Sequence, residues 1–388
     1  MKTKIDFVVF IHRIVFGGVS KKGGLDILID HFINDGKTAL LIEFPLSPSQ
    51  RDEIVVATYS SKGRKVLHQF RLPLKSNVFL WVLEPIICTF YVLRYALFSK
   101  VVMTSDPLTS FPAVFLRKMG LLKKHYYHFI DYSETRFDNK LLDFIYLKLM
   151  LFGVGHADLV GCVTKRIKDI LESEVPFSRC VHIPNSFDFS SLDECRLPFD
   201  KRTKYSLVTS VSYVSEKYLV KELVATVKAL KKEYPKVTLT VIGDITSFPK
   251  YVSSLQRYIS KNNLKDNIIF TGFIPKDLNL GYVSKAHISL AFYNPLYSHV
   301  NYGDSLKIRE SVTLGVPVVA DDVTSTAEEM VENEAGILIP KMRLLEESIR
   351  KVFNDDLLCE KLSRNALDWA KKTDKKKMIS KYLDFFND

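Results

Sequence analysis

Short apolar runs alternate with amphipathic stretches along most of the chain. In the first half, the apolar runs predict strands over residues 5–11, 38–42, 53–58, 101–104, 126–130, 159–163 and 180–183. In the second half, they predict strands over residues 206–211, 237–242, 268–271, 286–292 and 316–320. Amphipathic helices are predicted between them, for example over residues 219–233. Strands that alternate with helices are typical of parallel sheets, so we predict an α/β fold with two doubly wound domains joined near residues 184–198.

A long apolar segment at residues 78–98 raises the question of a transmembrane helix. Glu84, Pro85 and Arg94 lie inside it, and charges near the centre of a spanning helix are costly in lipid. We interpret the segment as a buried or surface-docking helix that begins or kinks at Pro85. A monotopic membrane contact through exposed Phe and Trp side chains is the alternative.

Composition limits the class of protein. The 388 residues, 47% of them hydrophobic, suffice for two domains of ordinary size. The five cysteines are odd in number and form no C-x-x-C pair, which argues for a reducing compartment and against a disulfide framework or a zinc site. Residues 1–16 are interrupted by His12 and Arg13 and have no small-residue cleavage site. We therefore expect a first core strand there rather than a signal peptide, and a cytoplasmic protein.

The charge balance indicates an anionic partner. A formal net charge of +11 suits nucleic acid, an anionic membrane surface or phosphorylated ligands. No nucleic-acid-binding motif is present, and the aromatic residues do not interleave with Lys and Arg as on a single-strand platform. We therefore expect no nucleic-acid partner and favour a phosphate ligand or peripheral contact with the inner face of a membrane. A solvated basic face is the simplest alternative.

The most informative chemistry lies in residues 303–336, where small and polar residues lead into a helical pattern that breaks at Gly315 and Pro317. The first turn of a helix presents backbone N–H groups and partial positive charge, which suit phosphate oxygens. The residues of this segment that we assign to donor binding are Gly303, Asp304, Ser305, Leu306 and Lys307, with Lys307 as the cation of the first turn. Glu310 lies one turn beyond Lys307, where a carboxylate can accept hydrogen bonds from sugar hydroxyls. The pattern indicates a nucleotide-sugar site.

This segment resembles the donor-binding region of retaining glycosyltransferases of family 4, which have the two-domain GT-B fold. The signature of that family has two glutamates eight positions apart, followed by a Gly-x-Pro-Val-Val strand. Glu310 stands at the second glutamate, and residues 315–319 read GVPVV. Tyr302 stands at the first glutamate position, and the nearby Asp304 is two residues out of register.

Further positions in the second half add to the resemblance. Residues 184–188 read PNSFD and resemble the segment that begins the C-terminal domain of this family. Lys217 matches the lysine that holds the donor diphosphate, and Ser212 replaces the arginine expected five residues earlier. Three more residues match strand ends near the nucleotide, where ligands bind in open α/β sheets: Gly243, Phe273 and Ile274.

The first half resembles the acceptor domain of the family. Gly17 and Gly18 resemble the glycine-rich loop that faces the donor phosphates, where glycine allows close backbone approach. Residues 125–139 read HYYHFIDYSETRFDN and resemble a segment that lines the acceptor cleft in some branches. The acceptor candidates in this segment are His128, Asp131 and Arg136. A core histidine satisfied by the backbone is the alternative for the first of them.

The resemblance implies two Rossmann-like domains facing a cleft, with the acceptor domain at residues 1–186 and the donor domain at residues 187–370. Residues 371–388 are expected to form a helix that crosses back to the first domain. The apolar stripe that this helix presents is formed by Met378, Ile379, Tyr382, Leu383 and Phe386.

The implied reaction moves a hexosyl group from a nucleoside diphosphate sugar to a hydroxyl of a saccharide, with a lipid-linked acceptor as one alternative, and retains the anomeric configuration. Neither a metal nor another cofactor is expected. The residues to which we assign catalytic roles are Glu310, Lys217, Asp131 and His128. A dehydrogenase is disfavoured because no G-x-G-x-x-G follows a predicted strand. A GT-B epimerase and a non-catalytic nucleotide-sugar-binding protein stay open, the latter because of Tyr302 and Ser212.

Overall fold

The computed structural model describes residues 4–13, 15–16, 19–20, 24–45, 53–71, 77–137 and 139–387. The chain divides into two compact units. The first comprises Met1–Ile183 together with Ile379–Asp388, and the second comprises Pro184–Met378. The sequence placed the boundary at residues 186–187, three residues further along the chain.

The first unit is built on an eight-stranded sheet with the order β10-β9-β8-β7-β1-β4-β5-β6. The strands of this unit are β1 (Phe7–Arg13), β2 (Val15–Phe16), β3 (Val19–Ser20), β4 (Ala39–Pro45), β5 (Glu53–Ser60), β6 (Gly63–Arg71), β7 (Ser99–Thr104), β8 (Leu122–Phe129), β9 (Leu159–Cys162) and β10 (Cys180–His182). β2 and β3 pair with each other in a separate two-stranded sheet. Its helices are α1 (Gly24–Asn34), α2 (Asn77–Tyr95), α3 (Pro107–Lys118), α4 (Lys140–His156) and α5 (Lys165–Glu174).

One edge of this sheet differs from the parallel arrangement that the sequence predicts. β5 pairs with β4 in antiparallel fashion, and β6, which the sequence did not predict, pairs with β5 in the same way. A tight turn at residues 61–62 joins the two strands, and Gly63 after it has a φ of 99°. Two strands joined by so short a turn can only run antiparallel, because a parallel crossover needs a dozen or more residues.

Helix α2 covers the apolar segment around Pro85. It begins at Asn77 and runs through the proline, so of the two alternatives, a helix that begins at Pro85 or one that kinks there, the first is wrong. Among the described residues, no helix combines the length and the apolar character needed to cross a membrane.

The second unit holds a six-stranded sheet in which every pair is parallel, with the order β13-β12-β11-β14-β15-β16. Its strands are β11 (Thr203–Tyr213), β12 (Thr238–Asp244), β13 (Ile268–Gly272), β14 (Ala286–Ala291), β15 (Val318–Asp321) and β16 (Gly336–Ile339). Its helices are α6 (Val220–Leu230), α7 (Pro249–Lys261), α8 (Lys276–Lys285), α9 (Leu306–Thr313), α10 (Ser325–Glu332), α11 (Leu345–Asn354) and α12 (Asp356–Lys372). The last strand was not predicted from the sequence.

The strand order locates the ligand edge of this sheet. The chain places β12 and β13 on one side of β11, then returns to place β14, β15 and β16 on the other side. Ligands in open parallel sheets bind outside the carboxyl ends of the strands, at the point where the strand order reverses. That point lies between the carboxyl ends of β11 and β14.

The last helix, α13 (Lys375–Asn387), begins in the second unit and ends in the first. The ring centroids of Tyr382 and Tyr126 in β8 lie 5.4 Å apart, and those of Phe386 and Phe32 in α1 lie 4.7 Å apart. Lys124 donates a hydrogen bond from Nζ to the carbonyl of Phe385 at 2.9 Å. These aromatic contacts make the end of α13 part of the core of the first unit.

Candidate functional site

The loops that follow β11 and β14 are joined at the switch point of the second sheet. Lys217 lies in a short 3₁₀ turn directly after β11, where the hydroxyl of Ser215 accepts a hydrogen bond from its backbone N–H at 3.3 Å. The carbonyl of Lys217 accepts a hydrogen bond from the N–H of Asn294, just after β14, at 2.8 Å. The backbone therefore fixes the position of Lys217 beside the loop that follows β14.

Lys307 is the second cation of this site and lies in the first turn of α9. Its Nζ is 3.9 Å from the ring centroid of Tyr293 and 4.4 Å from that of Tyr218. The residue is only 9% exposed, and its Nζ has no hydrogen-bond partner among the described residues. Burial lowers the pKa of Lys307 to about 7; the nearby Asp321 acts in the opposite direction, and Lys217 lowers the pKa further. The ammonium group therefore lies against two tyrosine rings, where it can pair with an added anion.

Asp321 ends β15 on the same side of the switch point. Its carboxylate accepts hydrogen bonds from the backbone N–H groups of Tyr293 and, at 3.2 Å, Val323. Burial raises the pKa of Asp321 to about 6. The carboxylate therefore ties the loop after β14 to β15 and lies close enough to Lys307 to influence its charge.

The N-terminus of α9 has no hydrogen bond from its N-cap side chain. Ser305 makes no side-chain cap; its hydroxyl lies 2.8 Å from the hydroxyl of Tyr293. The N–H of Ser305 donates to the hydroxyl of Thr326 at 2.8 Å. A helix N-terminus without a side-chain cap keeps first-turn N–H groups for an added acceptor such as phosphate oxygen. Leu306, the first residue of the helix, is exposed.

Glu310 lies one turn further along α9 and is buried. Its Oε2 accepts a hydrogen bond at 2.9 Å from Asn279 of α8, and the amide oxygen of Asn279 accepts one at 2.9 Å from Ser210 of β11. Burial raises the pKa of Glu310, while the hydrogen bond from Asn279 and the charge of Lys276 lower it. This chain of hydrogen bonds fixes the carboxylate toward the carboxyl end of β11.

Asp304 has a structural role that the sequence did not predict. Its side chain is fully buried and accepts hydrogen bonds from the Arg309 guanidinium at 3.0 Å, the Thr326 hydroxyl at 2.7 Å and the Asn185 N–H at 2.6 Å. Arg309 also donates to Glu329 of α10 at 2.9 Å. The Asp304 carboxylate thus holds the loop before α9; direct contact of Asp304 with a donor stays a prediction.

Gly243, at the end of β12, is required by packing. A Cβ at this position would lie 2.3 Å from the carbonyl oxygen of Val211 in β11, and φ is 154°. Gly303, in the loop before α9, donates its N–H to the carbonyl of Val300 at 3.2 Å. The glycine of β12 therefore allows two strands to approach beside the switch point, whether or not a ligand touches it.

Phe273 and Ile274 follow β13, the edge strand on the far side of β12 from the switch point. Phe273 is 73% exposed, whereas Ile274 is half-buried and packs on an apolar cluster that includes Leu280 and Val283 of α8. They lie at the same carboxyl edge of the sheet as Lys217, and contact with a nucleotide base stays a prediction.

The first-unit candidates lie in two different environments. His128 is buried in β8, and its Nδ1 lies 2.9 Å from the hydroxyl of Tyr126, which packs on α13. Burial lowers the pKa of His128 to about 4, so the ring is neutral at physiological pH and the geometry favours a core role. Asp131 and Arg136 are exposed beyond the strand and form an ion pair at 3.4 Å. Gly17 and Gly18 lie outside the described residues.

A buried charged cluster in the first unit was not predicted as a site. His12, near the carboxyl end of β1, lies 2.8 Å from Asp106 through Nδ1 and 3.0 Å from Glu84 through Nε2. Burial acts to lower the pKa of His12, but the two carboxylates raise it well above its usual value. The sequence singled out His12 and Glu84 only as interruptions of apolar runs, and Asp106 comes from another part of the chain. Neither this cluster nor any other group of three or more His, Cys, Asp or Glu side chains in the described part of the chain has an arrangement that could hold a metal ion.

Several residues of the second-unit site were also missed. Tyr293 and Asp321 follow or end buried strands, and a search for polar residues at strand ends would have found both. Asn279 and Tyr218 carry no such signal, because their role depends on contacts with α9. A surface pocket of about 640 Å³ borders Lys217 through Ser215 and Glu216; α7 residues such as Tyr251 line its other side, and we assign it no part in the site.

The sequence of the second unit matches a known family. Residues 194–369 match the family model described as Glycosyl transferases group 1. The matched range covers somewhat less than half of the chain and includes Lys217, Lys307 and Glu310. No curated protein sequence matches the chain.

Solved structures resemble the chain over nearly its whole length. Sucrose-phosphate synthase from Thermosynechococcus elongatus has 16% identity and a TM-score of 0.70, with 98% of each chain covered. A UDP-forming α,α-trehalose-phosphate synthase from Burkholderia xenovorans has 10% identity and a TM-score of 0.72, with 99% of each covered. A glycosyltransferase from Rickettsia africae has 16% identity and a TM-score of 0.71, with 99% of this chain and 98% of the other covered. The predicted GT-B fold class, two parallel-sheet α/β domains, is confirmed, apart from the antiparallel edge in the first sheet.

Proposed function

We propose that the chain is a retaining, metal-independent glycosyltransferase of family 4 that moves a hexosyl group from a nucleoside diphosphate sugar to a hydroxyl acceptor. The observation that carries the proposal is Lys307, a buried ammonium without a hydrogen-bond partner in the described chain, held at the switch point of a parallel sheet. An isolated buried cation is costly unless an anion joins it. A diphosphate fits that position, and the group 1 match of this unit supports it.

The donor is bound by charge and by dipoles. Lys217 and Lys307 face the diphosphate together with the first-turn N–H groups of α9, and Glu310 accepts hydrogen bonds from sugar hydroxyls. The negative charge that develops on the leaving diphosphate then meets donors already in place, which is the most effective form of electrostatic catalysis. The name of the UDP-forming relative makes UDP conjugates the first donors to test.

The transfer balances without a strong protein base. The bond between the anomeric carbon and the phosphate oxygen breaks, and the acceptor hydroxyl oxygen bonds to that carbon on the same face. The acceptor proton passes to the departing phosphate oxygen, so the products are the glycoside and the protonated nucleoside diphosphate. We place the protein in the cytoplasm, with a saccharide or a lipid-linked hydroxyl as its acceptor.

The test is thermal unfolding of the full chain with UDP, GDP, ADP, their sugar conjugates, NAD and a DNA control. A ligand at about a hundred times its Kd adds about 2.7 kcal/mol, which gives a clear shift. We expect one nucleoside diphosphate and its sugar to stabilise the protein, and Glu310→Ala or Lys217→Ala to abolish the shift. Lys351→Ala, at an exposed position of α11, is the matched control and should keep it. No shift at millimolar concentration of any ligand would overturn the donor site.

Catalysis needs its own measurement. With the donor identified, release of nucleoside diphosphate should continue when EDTA is added, and NMR of the product should show the anomeric configuration of the donor. Loss of activity that returns only with a divalent cation would contradict the metal-independent proposal, while an inverted product would contradict retention.

A non-catalytic nucleotide-sugar-binding protein is the second candidate. Tyr302 stands where the family has its first glutamate, and the nearby Asp304 carboxylate is already bonded to Arg309, Thr326 and Asn185. If this candidate is right, the thermal shift is retained while transfer and slow donor hydrolysis are both absent. Tyr302→Glu would then be the variant in which to look for hydrolysis.

A further inference from the structure

Three neighbouring helices of the first unit present an apolar outer surface. On α2 and the turn after it, the exposed side chains recur at helical spacing and are Val82, Ile86, Phe90, Leu93, Leu97 and Phe98. On α3 and its C-cap they are Phe111, Phe115 and Met119, and on α4 they are Leu141, Phe144 and Ile145. Roughly half of the large apolar side chains exposed in the described residues lie here, and patches of this kind mark interaction surfaces. We call this set the α2–α4 face.

The α2–α4 face is continuous because the helices pack side by side. α2 packs on α3, and α3 packs on α4. The ring centroids of Phe111 and Phe152 lie 5.9 Å apart across the second of these contacts. At Gly153 of α4 an added Cβ would lie 2.4 Å from the hydroxyl of Ser110, so α3 and α4 approach closely. The inner sides of these helices face the sheet, and among the described residues their outer side chains are exposed.

The exposed charged side chains on the three helices have one sign. The exposed cations on the three helices are Arg94, Lys118, Lys140 and Lys148. Lys118 and Lys148 hold their Nζ 5.5 Å from the ring centroids of Phe152 and Phe144, so their stems extend over apolar surface.

The only carboxylates of these helices are withdrawn from the surface. Glu84 is fully buried and bonded to His12. Asp143 is half-buried and accepts hydrogen bonds from the N–H groups of Arg136 and Phe137 at 2.8 Å. The face therefore presents apolar and cationic groups without an exposed carboxylate.

We propose that the α2–α4 face docks the protein on an anionic phospholipid bilayer. Aromatic and aliphatic side chains enter the interface between headgroups and acyl chains, and the flanking cations pair with anionic headgroups. A second copy of the chain suits the face less well, because two such faces would bring cations of the same sign together. The docking surface lies wholly in the first unit and needs no nucleotide sugar, so it can fail or succeed independently of the proposed reaction.

The first experiment is flotation of the full chain with vesicles of phosphatidylcholine, with and without phosphatidylglycerol, at low and high salt. We expect binding to the anionic vesicles only and a marked loss at high salt, because screening weakens the headgroup contacts. Phe90→Glu and Phe115→Glu should each reduce binding by about tenfold or more. Each removes a ring that would be buried in the bilayer and adds a negative charge that the anionic headgroups repel. Leu357→Glu, at an exposed position of α12 in the second unit, is the matched control and should bind as the unchanged chain does.

Tryptophan fluorescence supplies an independent readout. Trp81 lies on α2 beside the α2–α4 face, whereas Trp369 is buried under Arg309 in the second unit. Brominated lipids should quench the emission of the full chain, and Trp81→Phe should remove the quenching. Unfolding curves of every variant identify any that fails to fold, and Lys118→Glu with Lys148→Glu provides a second, surface-only test.

Three results would overturn the proposal. The first is the absence of binding to anionic vesicles. The second is binding that Phe90→Glu and the two lysine substitutions leave unchanged. The third is a lipid-free oligomer that dissociates in Phe115→Glu, which would assign the α2–α4 face to a second copy of the chain.

Discussion

A lysine buried against two tyrosine rings is an unusual residue for a stable core, and Lys307 shows why a site keeps one. Removing an ammonium group from water is costly, and the faces of Tyr218 and Tyr293 offset only part of that cost. In the proposed function, the remainder is recovered when the diphosphate of the donor binds. A residue that destabilises the empty domain while it favours the ligand is typical of functional sites, where stability and activity conflict.

Replacing this lysine should therefore stabilise the ligand-free protein. Lys307→Met keeps the length of the side chain and its contact with the tyrosines but removes the charge. At pH 6 we expect the free energy of unfolding to increase by on the order of 1 to 3 kcal/mol, which raises the Tm by several degrees. The Tm shift induced by nucleoside diphosphate should be lost. Calorimetry with and without UDP or another active nucleotide measures both effects.

The pH dependence of this variant follows from the sign of the pKa shift. The folded pKa of Lys307, about 7, lies below the value of an unfolded lysine, about 10.4, so the unfolded state binds more protons between them. Stability of the unchanged protein therefore rises with pH across this range. The advantage of Lys307→Met should be largest below pH 7 and shrink toward pH 10. Lys351→Met is the control, and an advantage that does not change with pH would show that Lys307 is not the titrating group.

At the scale of the element, buried ion pairs of its own side chain Arg309 hold the short helix α9 in place. The helix has eight residues, and Arg309 on it is buried between Asp304 and Glu329. The guanidinium also lies 4.9 Å from the ring centroid of Trp369 in α12. These contacts fix both the loop before the helix and the neighbouring α10, and so they fix where Lys307 and Glu310 stand.

Removing the cation of this network should unfold the second unit more easily. Arg309→Met removes the guanidinium that pairs with the buried carboxylates of Asp304 and Glu329, and breaking a buried ion pair on one side costs about 3–5 kcal/mol. Urea unfolding of the full chain in a Trp81→Phe background, followed by the fluorescence of Trp369, measures the loss. Arg350→Met, which removes surface pairs with Glu233 and Glu346, should cost much less, because solvent screens such pairs. Equal losses in the two variants would contradict a structural role for the Arg309 network.

The sequence predicted most elements of both sheets because their apolar runs are long enough to recognise. It missed β6, which lies at the edge of the first sheet and has no fully buried residue, its first four residues being exposed. It also missed β16, which has four residues and begins at Gly336, where a Cβ would lie 2.4 Å from the carbonyl oxygen of Val318. Edge strands and very short strands carry little periodic signal, so pairing partners decide them.

The candidate site could be predicted only in part for a related reason. Lys307 and Glu310 share one helix, so their spacing is visible in the sequence. The tyrosines around Lys307 and the amide that holds Glu310 come from other elements, and their side chains meet only in the folded unit. The same applies to Asp304, whose position suggested a ligand contact while its partners are Arg309, the hydroxyl of Thr326 and a backbone N–H.

At the scale of the whole molecule, the chain is two cores and one shared helix. The first core includes the end of α13, although more than 190 residues of the second unit separate that segment from Ile183. Tyr382 is buried, packs edge-on against Tyr126 and shares a hydrogen bond with its hydroxyl. The first unit therefore depends on a segment that lies far along the chain from its other residues.

Tyr382→Ala should loosen the first unit selectively. Deleting a large buried ring costs about 3–5 kcal/mol, because the transfer energy is lost and a cavity remains. Hydrogen exchange followed by mass spectrometry should show faster exchange in β8 and α1, with β11 and β14 unchanged. Tyr382→Phe, which keeps the ring and loses only the hydroxyl, should show exchange rates between those of Tyr382→Ala and the unchanged chain. Lys381→Ala, at an exposed position of the same helix, should exchange as the unchanged chain does. If protection falls equally in both units, the two cores unfold as one cooperative body, and the stability of each would have to be assigned to the whole chain.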